Sequence, residues 1–392
     1  MSIVIAAAKR SAIGNFNGSI SQIKLHHLDK YVFDGLVQNI KIPHITQVIM
    51  GHVLTAGFGQ NTARQTAVAC DIPHEVTSYT VNQVCGSGMK AIMLGYQSII
   101  HQLSIGVKMP VVLAGGHEIM SQAPHNVFLR GKGNFGNMTL HDSIVHDGLT
   151  DIFNNVHMGI TAENLAKKYA IPRKAQDEYA YNSQMKASKA QKAGVFDNEI
   201  APIKLSEDSI FDKDEFIRHE TLVEKLSKLR TAFIKDGTGT VTAGNASGIN
   251  DGSAMVILMT EKHARESGIK PLARIVSFAE AGVDPMLMGI GPVPASEKAL
   301  QMVGWNINDL DLIEVNEAFA AQTIAVNNIM CWDPEKVNVN GGAIALGHPI
   351  GASGARIVVT LVHALRRRKL KRGLATACVG GGIGVAMCVE AL

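Results

Sequence analysis

A chain of 392 residues has room for two or three domains, and 46% hydrophobic with 18% charged residues is typical of a globular protein rather than a disordered one. A net charge of +3 is too small to favour nucleic acid as the main partner. We expect no membrane partner either, because no stretch approaches the ~18 consecutive apolar residues that a membrane span requires.

The cysteines and the N-terminus indicate a reducing compartment. Five cysteines, an odd number without any CxxC spacing, argue against a disulfide framework and against a zinc site, so no metal is expected. The first residues lack the basic start and the long apolar run of a signal peptide. The sequence therefore predicts a cytoplasmic protein.

The first part of the chain, residues 1–117, alternates between short apolar runs and helical periodicity. The runs predict strands at 3–7, 47–54, 76–84 and 111–116, and the periodicity predicts helices at 28–40, 61–70 and 89–101. Alternation of this kind indicates a sheet covered by helices, here the N-terminal half of an α/β protein.

Residues 118–249 break this rhythm and are richer in polar residues. Helices are predicted at 161–169, where Thr161 is a suitable N-cap, and at 172–192, where Pro172 suits a first turn. We interpret this part as an inserted loop domain that lies over the core, since long excursions of this kind are often functional.

The β/α rhythm returns in residues 250–271, which we assign to the N-terminal half, and continues through a C-terminal half at 272–392. Strands are predicted at 254–259, 272–280, 312–315, 337–340, 374–378 and 385–390, and helices at 296–303, 319–329 and 354–365. The pattern of residues 338–381 repeats that of residues 80–116. Two similar α/β halves forming a layered core would place a binding cleft between them.

The most informative short stretch surrounds Cys85, which lies between a predicted strand and a predicted helix. A side chain at such a turn faces outwards, and the helix N-terminus behind it favours negative charge, so a lowered pKa and a reactive thiolate are expected. Gly86 and Gly88 would let backbone or ligand approach the sulfur closely. The alternative is a small buried hydrophobic residue, which most free cysteines are.

Two further glycine-rich turns carry reactive side chains, His348 and Cys378. A histidine can take the proton from one thiol, and a second cysteine can act as acid and base on a carbon acid. An ordinary turn histidine and a buried strand-end cysteine are the alternatives. His348-Pro349 stands where a phosphate-binding loop needs Lys-Ser/Thr, and the turn after Cys378 is not GxGxxG, so nucleotide hydrolysis and hydride transfer are disfavoured.

Four motifs, taken together and in order, resemble those of the thiolase family over the whole chain. They are Asn82-Gln83-Val84-Cys85-Gly86-Ser87-Gly88, Asn316-Glu317-Ala318-Phe319, Gly341-Gly342-Ala343-Ile344-Ala345-Leu346-Gly347-His348-Pro349 and Cys378-Val379-Gly380-Gly381-Gly382. The resemblance implies a thiolase-like fold of duplicated α/β halves that form a layered core, in which the inserted loop domain at 118–249 binds coenzyme A. His157-Met158-Gly159 and Pro292-Val293-Pro294-Ala295 favour the short-chain, biosynthetic acetyl-CoA C-acetyltransferase branch.

The resemblance implies a Claisen condensation of two acetyl-CoA molecules to acetoacetyl-CoA and CoA, and the reverse thiolysis, by a ping-pong mechanism. By analogy, Cys85 carries the acetyl group as a thioester, His348 activates Cys85, and Cys378 exchanges a proton with the methyl of the second acetyl-CoA. Asn316 would hold a water that forms one oxyanion hole with His348. The amides of Cys85 and Gly380 would form the other.

The resemblance also implies contacts to the substrates, which are coenzyme A thioesters, and no permanently bound cofactor. The matching positions are His157, Met158, Ala243 and Ser247 for pantetheine and nucleotide, Arg218 beside the adenine, and Met288, Ala318 and Phe319 at the acyl end. Plain core packing is the alternative for Met288 and Phe319, and a solvated surface charge for Arg218. Family analogy further suggests a homotetramer, a dimer of dimers.

Three other functions remain open at this point. A degradative 3-ketoacyl-CoA thiolase would run the same chemistry on longer chains. A ketoacyl synthase would normally carry a histidine in place of Cys378, and a non-catalytic acyl-CoA or lipid carrier would not need Cys85, His348 and Cys378 intact. Fold alone does not decide between them, so the site residues must.

Overall fold

The computed structural model describes residues 2–38, 40–130 and 136–392 of the chain. The strands are β1 (Ile3–Ser11), β2 (Gly14–Asn15), β3 (Gln47–Gly51), β4 (Thr77–Val81), β5 (Val111–Ile119), β6 (His125–Asn126), β7 (His141–Asp142), β8 (Thr150–Asp151), β9 (Val156–His157), β10 (Ile200–Ala201), β11 (Ile203–Lys204), β12 (Ile210–Phe211), β13 (Asn250–Thr260), β14 (Ala273–Gly282), β15 (Leu312–Val315), β16 (Arg372–Val379) and β17 (Ile383–Ala391). The helices are α1 (Leu25–Val37), α2 (Thr62–Ala69), α3 (Ser87–Ser104), α4 (Met158–Lys168), α5 (Arg173–Lys192), α6 (Val223–Ser227), α7 (Glu261–Glu266), α8 (Pro292–Val303), α9 (Ala320–Met330), α10 (Ala343–Leu346) and α11 (Ile350–Arg368).

One sheet runs through both halves in the order β15-β16-β17-β14-β1-β13-β5-β3-β4. Strand β3 is parallel to β4 and β5, and β15 is parallel to β16. The halves meet where β1 pairs with β14, over only two positions, Val4 with Arg274 and Ile5 with Ala273. The sheet therefore consists of two units joined by a short seam.

Side-chain alternation on the strands divides the core into layers. In β5, Val112 faces an inner core that contains α3 and α11, whereas Val111 faces an outer core that contains α1 and α2. In β16, Ala375 faces the same inner core, and Leu374 faces α8 and α9 on the outside. The two sheet units thus enclose α3 and α11 between them.

The enclosed helices touch through glycines. A Cβ atom on Gly88 of α3 would lie 2.7 Å from the Ala355 nitrogen, and one on Gly354 of α11 would lie 2.6 Å from the Met89 nitrogen. Only glycine permits backbones to approach this closely. Because α3 begins just after Cys85 and α11 just after His348, the contact fixes how far apart these two turns lie.

The predicted α/β architecture with two similar halves is confirmed, and the predicted insertion contributes α4 and α5, which pack on α9. The helix predicted at 28–40 is observed as Leu25–Val37, and Asn39 lies outside the described residues, as do residues 131–135 of the insertion. The predicted domain boundaries stay predictions. No helix in the described ranges is long and apolar enough to cross a membrane.

Local side-chain contacts explain two of the predictions that are wrong. Helix α4 begins at Met158 rather than Thr161, because the His157 ring caps it by accepting a hydrogen bond from the Gly159 nitrogen at 3.0 Å. Residues 337–340 do not form a strand. Asn338 has a left-handed φ of +44°. Its side chain accepts a hydrogen bond from the Val315 backbone nitrogen at 2.8 Å and donates one to the Val315 backbone oxygen at 2.9 Å, where a strand would use its own backbone.

Candidate active site

The Cys85 turn is held by its own side chains and backbone. Strand β4 ends at Val81 and α3 begins at Ser87, and between them Val84 takes a left-handed φ of +44°. The Ser87 hydroxyl accepts a hydrogen bond from the Gln83 nitrogen at 2.8 Å and donates one to the Val84 oxygen at 2.7 Å. These side-chain contacts stabilise the turn, where regular strand pairing has ended. Cys85 is half-buried in it.

The Cys85 sulfur faces two backbone amides. Burial raises the pKa of the Cys85 thiol to about 11, the N–H groups of Gly380 and of Cys85 itself pull it back down, and the Glu118 carboxylate raises it further. The lowered pKa expected from the sequence is therefore wrong for this state of the protein. Loss of solvent around the sulfur outweighs the donors and the helix N-terminus, so Cys85 rests as a thiol.

His348 is buried and neutral. Burial lowers the pKa of its imidazole to about 3, and the Arg356 guanidinium lowers it further. The main chain is fixed by a hydrogen bond from the His348 nitrogen to Asn250 Oδ1 at 2.9 Å. A Cβ on Gly347, whose φ is +109°, would lie 2.5 Å from the side chain of Asn250, so this turn requires a glycine before the histidine.

The two ring nitrogens of His348 have different partners. Nδ1 lies 2.6 Å from the Ser353 hydroxyl oxygen, and Nε2 lies 3.4 Å from Asn316 Nδ2. The backbone nitrogen of Asn316 donates a hydrogen bond to the backbone oxygen of Thr376 at 2.9 Å, which fixes the position of Asn316 beside β16. Its buried Oδ1 has no partner among the described residues and is an acceptor that a water could use.

Cys378 lies near the end of β16, opposite Gly384 of β17, and its side chain is fully buried. Burial raises the pKa of its thiol, and the nearby sulfur of Cys85 raises it further. Gly380 follows directly, and a Cβ on it would lie 3.1 Å from Met158 Cε and 3.4 Å from Val84 Cγ1. The third glycine-rich turn thus reaches the first at Cys85.

An apolar cluster adjoins Cys378. It brings together four of the predicted acyl and pantetheine positions from the insertion and the C-terminal half, Met158, Met288, Ala318 and Phe319. Their exposed fractions are 7, 3, 5 and 8%, so these side chains form a closed apolar wall. This burial agrees with core packing, one of the two interpretations from the sequence, and the acyl-facing role stays a prediction.

The other predicted coenzyme A positions lie outside this apolar cluster, two of them beside it and two at exposed sites. The His157 ring stacks on Phe233 at 4.5 Å, and the Ser247 nitrogen donates to the Ala318 oxygen at 3.0 Å, so both lie beside the apolar cluster. Ala243 is exposed. Arg218 is also exposed, with its guanidinium over the Phe216 ring at 5.5 Å, and it lines a surface recess of about 530 Å³.

Several buried residues that support the site were not singled out from the sequence. Ser353 and Asn250 hold His348. The Glu118 carboxylate accepts hydrogen bonds from the nitrogens of Val53, Leu54 and Gly351 at 3.1, 3.1 and 2.9 Å, which joins two loops beside the site. Ser353 lies only five residues after His348 and was open to prediction, whereas nothing in the sequence pairs Glu118 with residues far along the chain.

Among the described residues, no group of three or more His, Cys, Asp or Glu side chains is arranged to hold a metal ion. The arrangement can instead do acyl chemistry. A thiol faces two N–H donors, a neutral imidazole lies at the adjoining turn, and a second thiol is buried beside an apolar wall. Aimed donors of this kind stabilise a developing oxyanion.

The chain matches two family models, described as "Thiolase, N-terminal domain" over residues 3–262 and "Thiolase, C-terminal domain" over residues 269–391. A protein of Rhizobium meliloti named acetyl-CoA acetyltransferase is 52% identical, over 100% of this chain and 99% of its own. The crystal structure of the Bacillus anthracis acetyl-CoA acetyltransferase superposes with a TM-score of 0.94 at 46% identity, covering 100% and 99% of the two chains. Human mitochondrial 3-ketoacyl-CoA thiolase, solved with CoA, gives a TM-score of 0.94 at 41% identity, covering 100% and 98%.

Proposed function

This chain belongs to the thiolase family and is an acyltransferase, and we propose that it is an acetyl-CoA C-acetyltransferase acting through an acetyl-Cys85 thioester. It condenses two acetyl-CoA molecules to acetoacetyl-CoA and CoA, and it catalyses the reverse thiolysis. The observation that carries the proposal is the convergence on the Cys85 sulfur of the Cys85 and Gly380 amides, with Cys378 beside it.

In the first step, the Cys85 sulfur attacks the carbonyl carbon of acetyl-CoA as His348 Nε2 takes the thiol proton. The carbonyl oxygen becomes an oxyanion, which the N–H groups of Cys85 and Gly380 stabilise. The carbonyl then re-forms and the bond to the coenzyme A sulfur breaks. The released coenzyme A thiolate takes the proton of Cys378, which becomes a thiolate, while His348 keeps the proton of Cys85. The neutral resting state of His348 suits this role, because only an unprotonated ring can act as base.

In the second step, the Cys378 thiolate takes a proton from the methyl of a second acetyl-CoA and becomes a thiol again. The enolate oxygen is stabilised by the Nε2–H of protonated His348 and by a water on Asn316, whose buried Oδ1 has no partner among the described residues. The carbon then attacks the acetyl-Cys85 carbonyl, acetoacetyl-CoA forms, and the Cys85 thiolate leaves and regains its proton from His348. The raised pKa of the Cys378 thiol keeps it protonated at rest, so it also suits the proton donor of the reverse reaction.

The remaining expectations belong to the same proposal. Acetyl-CoA, acetoacetyl-CoA and CoA are its substrates and products, with His157, Ser247 and Ala243 along the pantetheine and Arg218 near the adenine, and no cofactor stays bound. Met288, Ala318 and Phe319 face the acetyl group, and their burial supports a short acyl site. We also propose a cytoplasmic homotetramer, in keeping with the family analogy.

A degradative 3-ketoacyl-CoA thiolase is the second candidate, because the human mitochondrial 3-ketoacyl-CoA thiolase superposes as well as the bacterial acetyl-CoA acetyltransferase does. The relative of higher identity, at 52%, carries the short-chain name. Turnover separates the two candidates. The same enzyme preparation is assayed with acetoacetyl-CoA and with a long-chain 3-ketoacyl-CoA, each together with CoA.

Intact-protein mass spectrometry after mixing with acetyl-CoA tests the chemistry directly. We expect one acetyl adduct that maps to Cys85, is absent in Cys85→Ser and is retained in Cys378→Ala, which should nevertheless fail to condense. Cys331→Ser serves as the matched control, because this thiol is exposed and lies after α9. An adduct that persists in Cys85→Ser, or efficient cleavage of the long substrate, would contradict the proposal.

A further inference from the structure

We propose that Ser353 is a positioning residue that sets the tautomer of His348, so that Nδ1 carries the ring hydrogen and Nε2 is the free base. Ser353 lies in the first turn of α11 and is 1% exposed. The proposal rests on the proposed function, because it explains how His348 comes to accept the Cys85 proton.

The Ser353 hydroxyl takes part in two hydrogen bonds whose directions follow from its partners. The Ser353 hydroxyl oxygen lies 2.8 Å from the Pro349 oxygen and 2.6 Å from His348 Nδ1. A carbonyl oxygen only accepts, so the single hydroxyl hydrogen points to Pro349. The hydroxyl oxygen must then accept from Nδ1, which therefore carries a hydrogen. In a neutral ring this leaves Nε2 with its lone pair free.

The other side of the ring agrees with this assignment. Asn316 Nδ2, a donor without acceptor capacity, lies 3.4 Å from Nε2. If Nε2 carried the hydrogen, two donors would face each other in a buried site. The hydrogen bonds therefore run in one direction, from Asn316 to His348 to Ser353 to Pro349.

The charge around the ring does not select a tautomer by itself. His348 is 5% exposed, and Arg356 is the charged side chain that acts on it. A guanidinium opposes protonation of the whole ring but offers no acceptor to Nδ1. Among the described residues, His348 Nδ1 finds its hydrogen-bond acceptor in the Ser353 hydroxyl oxygen.

Two substitutions at the same position separate orientation from packing. Ser353→Ala removes the acceptor of Nδ1 and leaves the ring free to carry its hydrogen on Nε2. Ser353→Thr keeps a hydroxyl that can bond the carbonyl four residues earlier, as helical threonines do. Ser296→Ala in α8 is the matched control, since this serine is equally buried and its hydroxyl has no partner among the described residues.

We expect Ser353→Ala to slow acetylation of Cys85 by about 100-fold or more, within the range that general-base catalysis supplies. The acetyl-CoA concentration that gives half the maximal rate should stay within about twofold, because ground-state binding is untouched. Ser353→Thr should recover most of the rate, and Ser296→Ala should match the parent enzyme. Unchanged acetylation in a folded Ser353→Ala, or a Ser353→Thr as slow as the alanine variant, would overturn the proposal.

Neutron diffraction of the parent enzyme, exchanged into heavy water, tests the tautomer without any substrate. The expected result is one deuteron on His348 Nδ1, and one on the Ser353 hydroxyl directed to Pro349. A deuteron on Nε2 alone would refute the inference. This result stands even if the parent enzyme forms no acetyl adduct, so a failure of the proposed function can be told apart from a failure of the Ser353 role.

Discussion

The Glu317 carboxylate accepts a hydrogen bond from the Ser183 hydroxyl at 2.7 Å. This contact joins α5 of the insertion to the turn that carries Asn316. Three other donors reach the same carboxylate, the Tyr179 hydroxyl, Asn338 Nδ2 and the Ile344 nitrogen, at 3.0, 2.8 and 3.1 Å. Glu317 is 1% exposed. Its buried carboxylate therefore links three segments: the turn that carries Asn316, helix α5 of the insertion, and helix α10, which precedes His348.

We predict that Glu317→Gln destabilises the protein by about 2–4 kcal/mol, since buried hydrogen bonds to a charged group are worth more than neutral ones. The two hydroxyl donors can turn around to face an amide, but Asn338 Nδ2 and the Ile344 nitrogen cannot, and one of them would meet an N–H group. Urea unfolding of the parent and the variant measures the difference. Glu335→Gln is the control, because Glu335 is exposed and lines the same surface pocket as Glu317. A change of less than 0.5 kcal/mol, the usual limit for surface substitutions, would contradict the role given to Glu317.

Contacts between residues close along the chain could be predicted from the sequence, whereas contacts between distant residues could not. The turns at Cys85, His348 and Cys378 were predictable, because glycines beside a reactive residue at a strand or helix end are local signals. The Glu317 partners in α5 are more than 130 positions away, which no local pattern records. The pKa direction of Cys85 was wrong for the same reason, since the burial that raises it comes from distant packing.

The pKa values of Cys85 and His348, about 11 and about 3, predict that the resting pair is uncharged at neutral pH. With a thiol pKa near 11, only about 10⁻⁴ of Cys85 is thiolate at pH 7, and the fraction rises tenfold per pH unit. Iodoacetamide alkylation of Cys85 should therefore accelerate continuously from pH 7 to 10. The rate is measured by mass spectrometry in a Cys331→Ser background, which removes the exposed thiol. A rate that is flat from pH 5 to 8 would instead indicate a preformed thiolate–imidazolium pair.

Gly88→Ala tests whether the contact between α3 and α11 sets the site geometry. Alanine gains at most about 1 kcal/mol over glycine, the value for a helix interior, and Gly88 lies in the first turn of α3. The new Cβ would lie 2.7 Å from the backbone nitrogen of Ala355, which cannot move aside. Overpacking of this kind costs about 1–3 kcal/mol, so we expect a net loss of stability and slower acetylation of Cys85. Gly282→Ala is the control, because nothing lies within 4 Å of its Cβ position. If the Gly88 and Gly282 variants unfold at equal denaturant concentrations, the contact between α3 and α11 does not require a glycine at position 88.

Met288→Ala tests whether the buried cluster limits the length of the acyl chain. Met288 is 3% exposed and packs with Met158, Phe319 and Cys378. Removing its side chain opens a cavity at a cost of about 2–5 kcal/mol, and the space can take further methylenes of the substrate. Each methylene accommodated is worth about 10-fold or more in kcat/KM.

The measurement is the ratio of kcat/KM for thiolysis of 3-ketohexanoyl-CoA to that of acetoacetyl-CoA, which we expect to rise at least about tenfold in Met288→Ala. Met302→Ala, at a position 64% exposed in α8, should leave the ratio unchanged. The ratio is insensitive to partial unfolding, because loss of active enzyme lowers both values equally. An unchanged ratio in Met288→Ala would mean that this side chain is core packing only, the alternative that the sequence left open.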